Sequence, residues 1–165
     1  MRSKRVRRQR GVVALICGGL ALAFSGCASS LPMDPEGTLD SVRNDTLRVG
    51  VTPHEQLVKI DGGSLGGRDV ELSKEFAAHL GAQPEFVLGG EESLVKKLEE
   101  NELDLVVGGI SSKTPWSEKV GITRPYAEIT DEKGKKEKLV LLVPPGENAF
   151  LSELEYFLDQ TQEMP

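Results

Sequence analysis

Ser111, Ser112, Lys113 and Thr114 stand in one short stretch between Gly108-Gly109 and Trp116, the only tryptophan. Hydroxyls, an ammonium and an indole gathered in a loop suit recognition of a small polar solute. The donors can fix an anionic or carbonyl group, and the ring can cover an apolar part. Trp116 also suits a buried structural position, and both readings stay open. His54 follows the first strand-like run, where a binding role fits. His79 lies beside Leu80 in a helical pattern and reads as a surface residue. These are the only histidines, and two isolated imidazoles make no metal site. Gly62-Gly63 and Gly66-Gly67 are spaced as neither GxGxxG nor GxxxxGK[ST], which argues against a phosphate cradle. Asp69 and Glu71 need not share a face, and no nucleophile–base pair is visible. The expectation is a binding protein rather than an enzyme, with no metal and no cofactor.

The elements that would position these residues alternate. Leu47–Val51 (LRVGV) is short, β-branched and strand-like, and Thr52-Pro53 ends it. Val70–Leu80 has the apolar spacing of a buried helical face, with Asp69 expected as its N-cap and Gly81 just past its end. Glu85–Leu88 reads as a second strand and Glu91–Glu100 as a helix with acids in its first turn. Asp104–Val107 is the central strand, stopped by Gly108-Gly109, and Pro115–Val120 suits one helical turn. Residues 127–138 carry DEKGKKEK and read as an exposed loop. Leu139–Val143 (LVLLV) belongs inside the sheet, and Ala149–Leu158 is a last helix with Asn148 as its cap. Strand–helix repetition of this kind implies a mostly parallel α/β sheet. In such sheets the loops at the carboxyl ends of strands hold ligands. The best binding loops are therefore His54–Arg68 and Gly109–Trp116.

The N-terminus is of another kind. Arg2, Lys4, Arg5, Arg7, Arg8 and Arg10 precede the apolar run Gly11–Phe24, and Ser25-Gly26-Cys27 follows. That is the pattern of a secretory signal, with an apolar core too short to span a bilayer. The cysteine after small residues resembles the lipobox of bacterial lipoproteins, which makes Cys27 the expected lipidation site. The reading divides the chain into a signal peptide over 1–27, a flexible tether over 28–46, a domain over 47–160 and a tail over 161–165. The expected location is the cell envelope, lipid-anchored and extracytoplasmic. The chain has 20 basic and 26 acidic side chains. Six of the basics and none of the acids lie in the leader, so the exported part carries a net charge of −12. Such a surface disfavours nucleic acid. The remaining cysteine, Cys17, is also in the leader, so the domain has neither a disulfide nor a catalytic thiol.

Several spaced segments resemble the family 3 extracellular solute-binding proteins, the periplasmic amino-acid receptors of ABC transporters. They are LRVGVTP (Leu47–Pro53), GRDVELSKEFAAHLG (Gly67–Gly81), the step Leu98–Gly109 matching L-x-x-x-x-L-D-x-x-x-x-G, and Val120–Tyr126 matching v-x-F-S-x-P-Y. The resemblance implies a three-layer α/β domain with a mostly parallel five-stranded sheet, ordered 2-1-3-5-4 with the last strand antiparallel. That is a single lobe of a type II periplasmic-binding-protein-like fold. The family has two lobes closing over a ligand, and here the second lobe is missing from its expected place after Tyr126. The resemblance also implies a small polar solute or amino acid as ligand, and an ABC permease or another envelope protein as partner. Gly109 and Ser111 fall at the family's ligand positions, and Asp69 matches an aspartate the family retains. The family's threonine position falls at Lys113 and its carboxylate-clamping arginine at Trp116, a ring that cannot make a bidentate fork. The implied ligand set is His54, Asp69, Gly109, Ser111, Lys113 and Trp116. The alternative is an accessory or protein-interaction module built from one receptor lobe.

Overall fold

The computed structural model describes residues 33–130 and 134–162. Cys27, the leader, the start of the tether and residues 163–165 lie outside them. In chain order the elements begin with α1 (Thr38–Val42), β1 (Thr46–Val51), β2 (Lys59–Asp61) and β3 (Ser64–Gly66). Next come α2 (Arg68–His79), β4 (Gln83–Leu88), α3 (Glu91–Glu99) and β5 (Leu105–Ser111). The chain continues through β6 (Gly121–Ile122), β7 (Ala127–Thr130), β8 (Lys136–Val143) and α4 (Asn148–Gln162).

The main sheet runs β4-β1-β5-β8-β6, with β7 also paired to β8. β1 is parallel to β4 and β5, and β8 is antiparallel to β5, β6 and β7. The expected strand order and the inserted antiparallel strand are present. The sheet is mixed rather than mostly parallel, and it has six strands rather than five. The extra strand arises on the outer side of β8. There the amides of Thr123 and Tyr126 still donate to Leu141 and Leu139, but Pro125 has no N–H to give and the edge splits into β6 and β7.

Alternation along the strands builds a core on each face. Leu47, Val49, Val51, Leu105, Val107, Leu139, Leu141 and Val143 join the cluster under α1, α2 and α4. Val106, Ile110, Val140 and Leu142 join the smaller cluster under α3. Period two sends neighbouring side chains to opposite faces, so the apolar run of β8 feeds both.

Three expectations are corrected. Residues 33–46 are not a flexible tether: Leu39 and Val42 of α1 are buried in the core. Asp34 accepts from the amides of Leu39 (2.7 Å) and Phe150 (3.2 Å), and Glu147 from those of Glu36 (3.0 Å) and Thr38 (2.9 Å). Orphan amides at the starts of α1 and α4 are thus satisfied across the junction, by Glu147 on one side and by Asp34 and the Met33 carbonyl on the other, and Asn148 is the first residue of α4 rather than its cap. Second, residues 127–138 are not all loop. Ala127 and Ile129 pack on the core and Lys136 pairs with Glu128 at 2.7 Å, so β7 and the start of β8 form a hairpin. Third, Asp69 does not cap α2: the helix begins at Arg68, and Asp69 sits inside the first turn. Pro115–Val120 forms a single hydrogen-bonded turn, with the Lys119 and Val120 amides donating to the Trp116 carbonyl. α4 extends to Gln162, past the expected start of the tail at residue 161.

Candidate functional site

The pairing of β1 with β5 ends at Val51 and Val107, with Thr52 leaving β1 and Gly108-Gly109 following inside β5. Between Val106 and Ile110 the pairing of β5 with β8 slips, a bulge made by Gly108 (φ 120°) and Gly109 (φ 74°). No L side chain adopts these angles without strain, and there is no room for one. A Cβ on Gly108 would lie 2.3 Å from the Thr52 carbonyl oxygen, and one on Gly109 would lie 2.1 Å from the His54 ring. The Thr52 hydroxyl donates to the Gly108 carbonyl at 2.6 Å.

Asp69 braces the bulge from beneath. Its Oδ2 accepts the amides of Gly108 (3.1 Å) and Gly109 (3.3 Å), and the Tyr126 hydroxyl donates to the carboxylate at 2.8 Å. Asp69 is 0% exposed and Tyr126 4%. Burial raises the Asp69 pKa above its ordinary value, and the bonds from Tyr126, Gly109 and Gly108 hold back part of that rise. Burial, followed by the neighbouring carboxylate, pushes the Tyr126 phenol far above its usual range, so it stays a donor. The carboxylate therefore sets the shape of the loop and is spent on protein donors, away from solvent.

Beyond the bulge, Ser111 Oγ accepts the Lys113 amide at 3.2 Å and the Ser112 amide donates to the Lys138 carbonyl at 2.8 Å. Lys113 is exposed. The loop's far end is fastened to the opposite face of the sheet. Glu91, at the head of α3, accepts the Trp116 indole N–H at 2.7 Å and the Thr114 hydroxyl at 3.1 Å. The half-buried indole packs on the α3-side core, under the Lys119 ammonium at 5.8 Å.

The six expected residues thus divide. His54, Asp69 and Gly109 meet at the ends of β1 and β5, Ser111 and Lys113 follow along the same loop, and Trp116 turns away to Glu91. Tyr126 and Glu91 were not read as site residues from the sequence. Tyr126 lies 57 positions from Asp69 and Glu91 lies 25 from Trp116, separations at which no local pattern signals contact. His79 is remote, against Glu153 at 2.8 Å and the Phe76 and Phe157 rings.

Three solved structures illustrate the likeness of the fold. A point mutant of the isolated domain 1 of TmArgBP, arginine-bound, superposes with a TM-score of 0.69 at 22% identity, over 76% of this chain and 99% of that one. TmArgBP is the arginine-binding protein of T. maritima. An ancestral cationic amino acid solute binding protein gives 0.68 at 16% identity, over 76% and 94%. An ancestral cyclohexadienyl dehydratase gives 0.67 at 17%, over 76% and 90%. No curated protein gives a significant match. The profile of the bacterial extracellular solute-binding proteins, family 3, matches residues 47–164. With the match spanning the whole sheet and all but the first helix, the chain belongs to that family.

Proposed function

We infer that this protein is an exported, lipid-anchored receptor lobe, held at Cys27, that binds a small polar solute of the amino-acid class at the carboxyl ends of β1 and β5. The observation that carries this reading is the Gly108–Gly109 bulge braced by buried Asp69, which presents the donors of Gly109–Lys113 beside His54. Family membership and the amino acids named for its structural neighbours support the ligand class. The ligand is bound weakly or with altered specificity for two reasons. Trp116 occupies the position of the clamping arginine, and its N–H is committed to Glu91. A lobe without its partner lobe also leaves the ligand wet, so each polar contact is worth less. The role is binding rather than catalysis, with delivery to an ABC permease. Calorimetry of the full-length protein in detergent against the common amino acids tests this. At least one should bind, and Ser111→Ala should weaken it. If no amino acid gives heat or raises the melting temperature, the reading fails.

A second reading, an envelope interaction module, is favoured by Val87 and Leu88, 39% and 49% exposed at the carboxyl end of the edge strand β4. Light scattering that finds only monomer, with no co-purifying partner, would dispose of it.

A further inference from the structure

A cavity of about 270 Å³ lies beside Tyr126, between the outer face of α2 and the C-terminal end of α4, apart from the loop Gly109–Lys113. Arg68, Glu71, Leu72, Glu75, Tyr126, Leu158 and Thr161 line it, and none of Gly109–Lys113 does. Arg68, Leu72 and Glu75 follow one another at i, i+4 and i+7, so they share one face of α2. Seven residues of helix separate the two charges by roughly 10 Å along the axis. Neither Arg68 nor Glu75 forms an ion pair among the described residues, whereas the nearby Glu71 is held by Lys74 at 2.8 Å. The Arg68 guanidinium lies 5.8 Å from the centre of the Tyr126 ring, and that ring is fixed through its hydroxyl to Asp69. The lining therefore offers a cation beside a fixed aromatic ring, Leu72 and Leu158, and then Glu75, with Glu71 already held by Lys74. The volume falls just below the roughly 300 Å³ at which ligand pockets begin, and suits a molecule of amino-acid size.

We propose that this cavity binds a small zwitterion whose carboxylate and amine are separated by an alkyl chain, an ω-amino or diamino acid. The carboxylate meets the Arg68 guanidinium, the geometry in which arginine excels. The methylenes cross Leu72, Leu158 and the Tyr126 ring, and the ammonium faces Glu75. This site does not rest on the receptor reading above: its ligand contacts lie outside Gly109–Lys113, and the two meet only at Tyr126, whose hydroxyl holds Asp69.

The test is calorimetric titration of the full-length protein with 6-aminohexanoate, hexanoate and hexylamine. 6-Aminohexanoate should bind, and each analogue lacking one charge should bind at least about tenfold more weakly, the worth of one charge-assisted contact. Arg68→Gln and Glu75→Gln should each cost a similar factor, and Ser111→Ala less than about twofold. Both side chains are exposed, so the variants should melt as the wild type does. If either charge deletion destabilises the fold, Arg68→Lys, which keeps the charge and loses the fork, should still weaken binding. The proposal is overturned by no heat at about 10 mM 6-aminohexanoate, or by hexanoate binding as well. A loss with Ser111→Ala but not with Arg68→Gln would overturn it too, by assigning the ligand to the loop beyond β5.

Discussion

Tyr126→Phe isolates the bond on which the site's geometry rests. The substitution keeps the ring, its packing and its place beside Arg68, and removes only the hydroxyl that donates to Asp69 at 2.8 Å. Asp69 would keep the Gly108 and Gly109 amides, but a fully buried carboxylate would have lost one of its charge-assisted donors. Such bonds contribute about 1.5–3 kcal/mol, so at pH 7 we expect a loss of about 2 kcal/mol, or roughly 8 °C in melting temperature for a domain of this size. The pH dependence carries the sign. Burial raises the folded pKa of Asp69 above its ordinary 3.8. The folded state then binds more protons than the unfolded one in the window from 3.8 up to that raised value. This group's contribution is therefore greatest below 3.8 and declines as pH rises through the window. Removing the phenol raises the folded pKa further and steepens the decline. Urea unfolding should thus give a cost near 2 kcal/mol at pH 7 that shrinks to about 1 kcal/mol near pH 3, where a neutral hydrogen bond is lost instead. A cycle with Asp69→Asn should show coupling of about 1–2 kcal/mol. A cost below about 0.5 kcal/mol at pH 7, or one equal at both pH values, would refute the reasoning.

Trp116→Phe keeps a ring against the α3-side core and deletes the N–H that donates to Glu91 at 2.7 Å. It should cost about 1–2 kcal/mol in chemical denaturation, and chemical shifts should move at Thr114 and Glu91 while those of Asp69 and Gly108 stay in place. At the junction of α1 and α4, burial opposes the charge of Glu147, but the amides of Glu36 and Thr38 outweigh it and hold its pKa below the ordinary 4.5. Its neighbour Asp34 is raised, first by burial. Stability from Glu147 is present above 4.5 and lost as pH falls through its lowered folded value. Glu147→Gln, which offers one acceptor where two amides need two, should cost about 1–3 kcal/mol at pH 7 and flatten the acid limb of a stability-versus-pH curve.

Elements whose signal was a local period were legible in the sequence. Leu139–Val143 announced an interior strand because every residue there is buried, and Val70–Leu80 announced a helix through one apolar stripe. Asp69 shows where that reasoning stops. An aspartate just before an apolar helical run is what a cap looks like, and only the fold brings Tyr126 and the glycine amides to it. A buried carboxylate with three donors is better satisfied than an exposed cap, so the tertiary partners win. Residues 33–46 show the same limit. Pro and small polar residues mark loops, but Asp34 and Glu147 become reciprocal caps only when residues more than a hundred positions apart meet. The hairpin of β7 and β8 was obscured by DEKGKKEK, although AEIT already alternates in and out.

The loop from Gly109 to Trp116 is tied to both faces of the sheet, and this bears on the binding by one lobe proposed above. Asp69 holds its first amide from the α2 side, Glu91 holds its last side chain from the α3 side, and the Lys138 carbonyl holds Ser112 between them. Two lobes that close gain affinity by removing water from the ligand, a gain that a lobe binding alone forgoes. What it can retain is preorganisation. A loop whose amides are already fixed loses little conformational entropy when a ligand arrives, and each ordered side chain avoided saves about 0.5–1.5 kcal/mol. The same fixing explains why Trp116 cannot simply be read as a lost arginine. Its indole N–H is, with the Thr114 hydroxyl, one of two donors that fasten the loop to Glu91, so Trp116→Arg would remove that fastening while adding a guanidinium. The charge gained and the rigidity lost act against each other at that position.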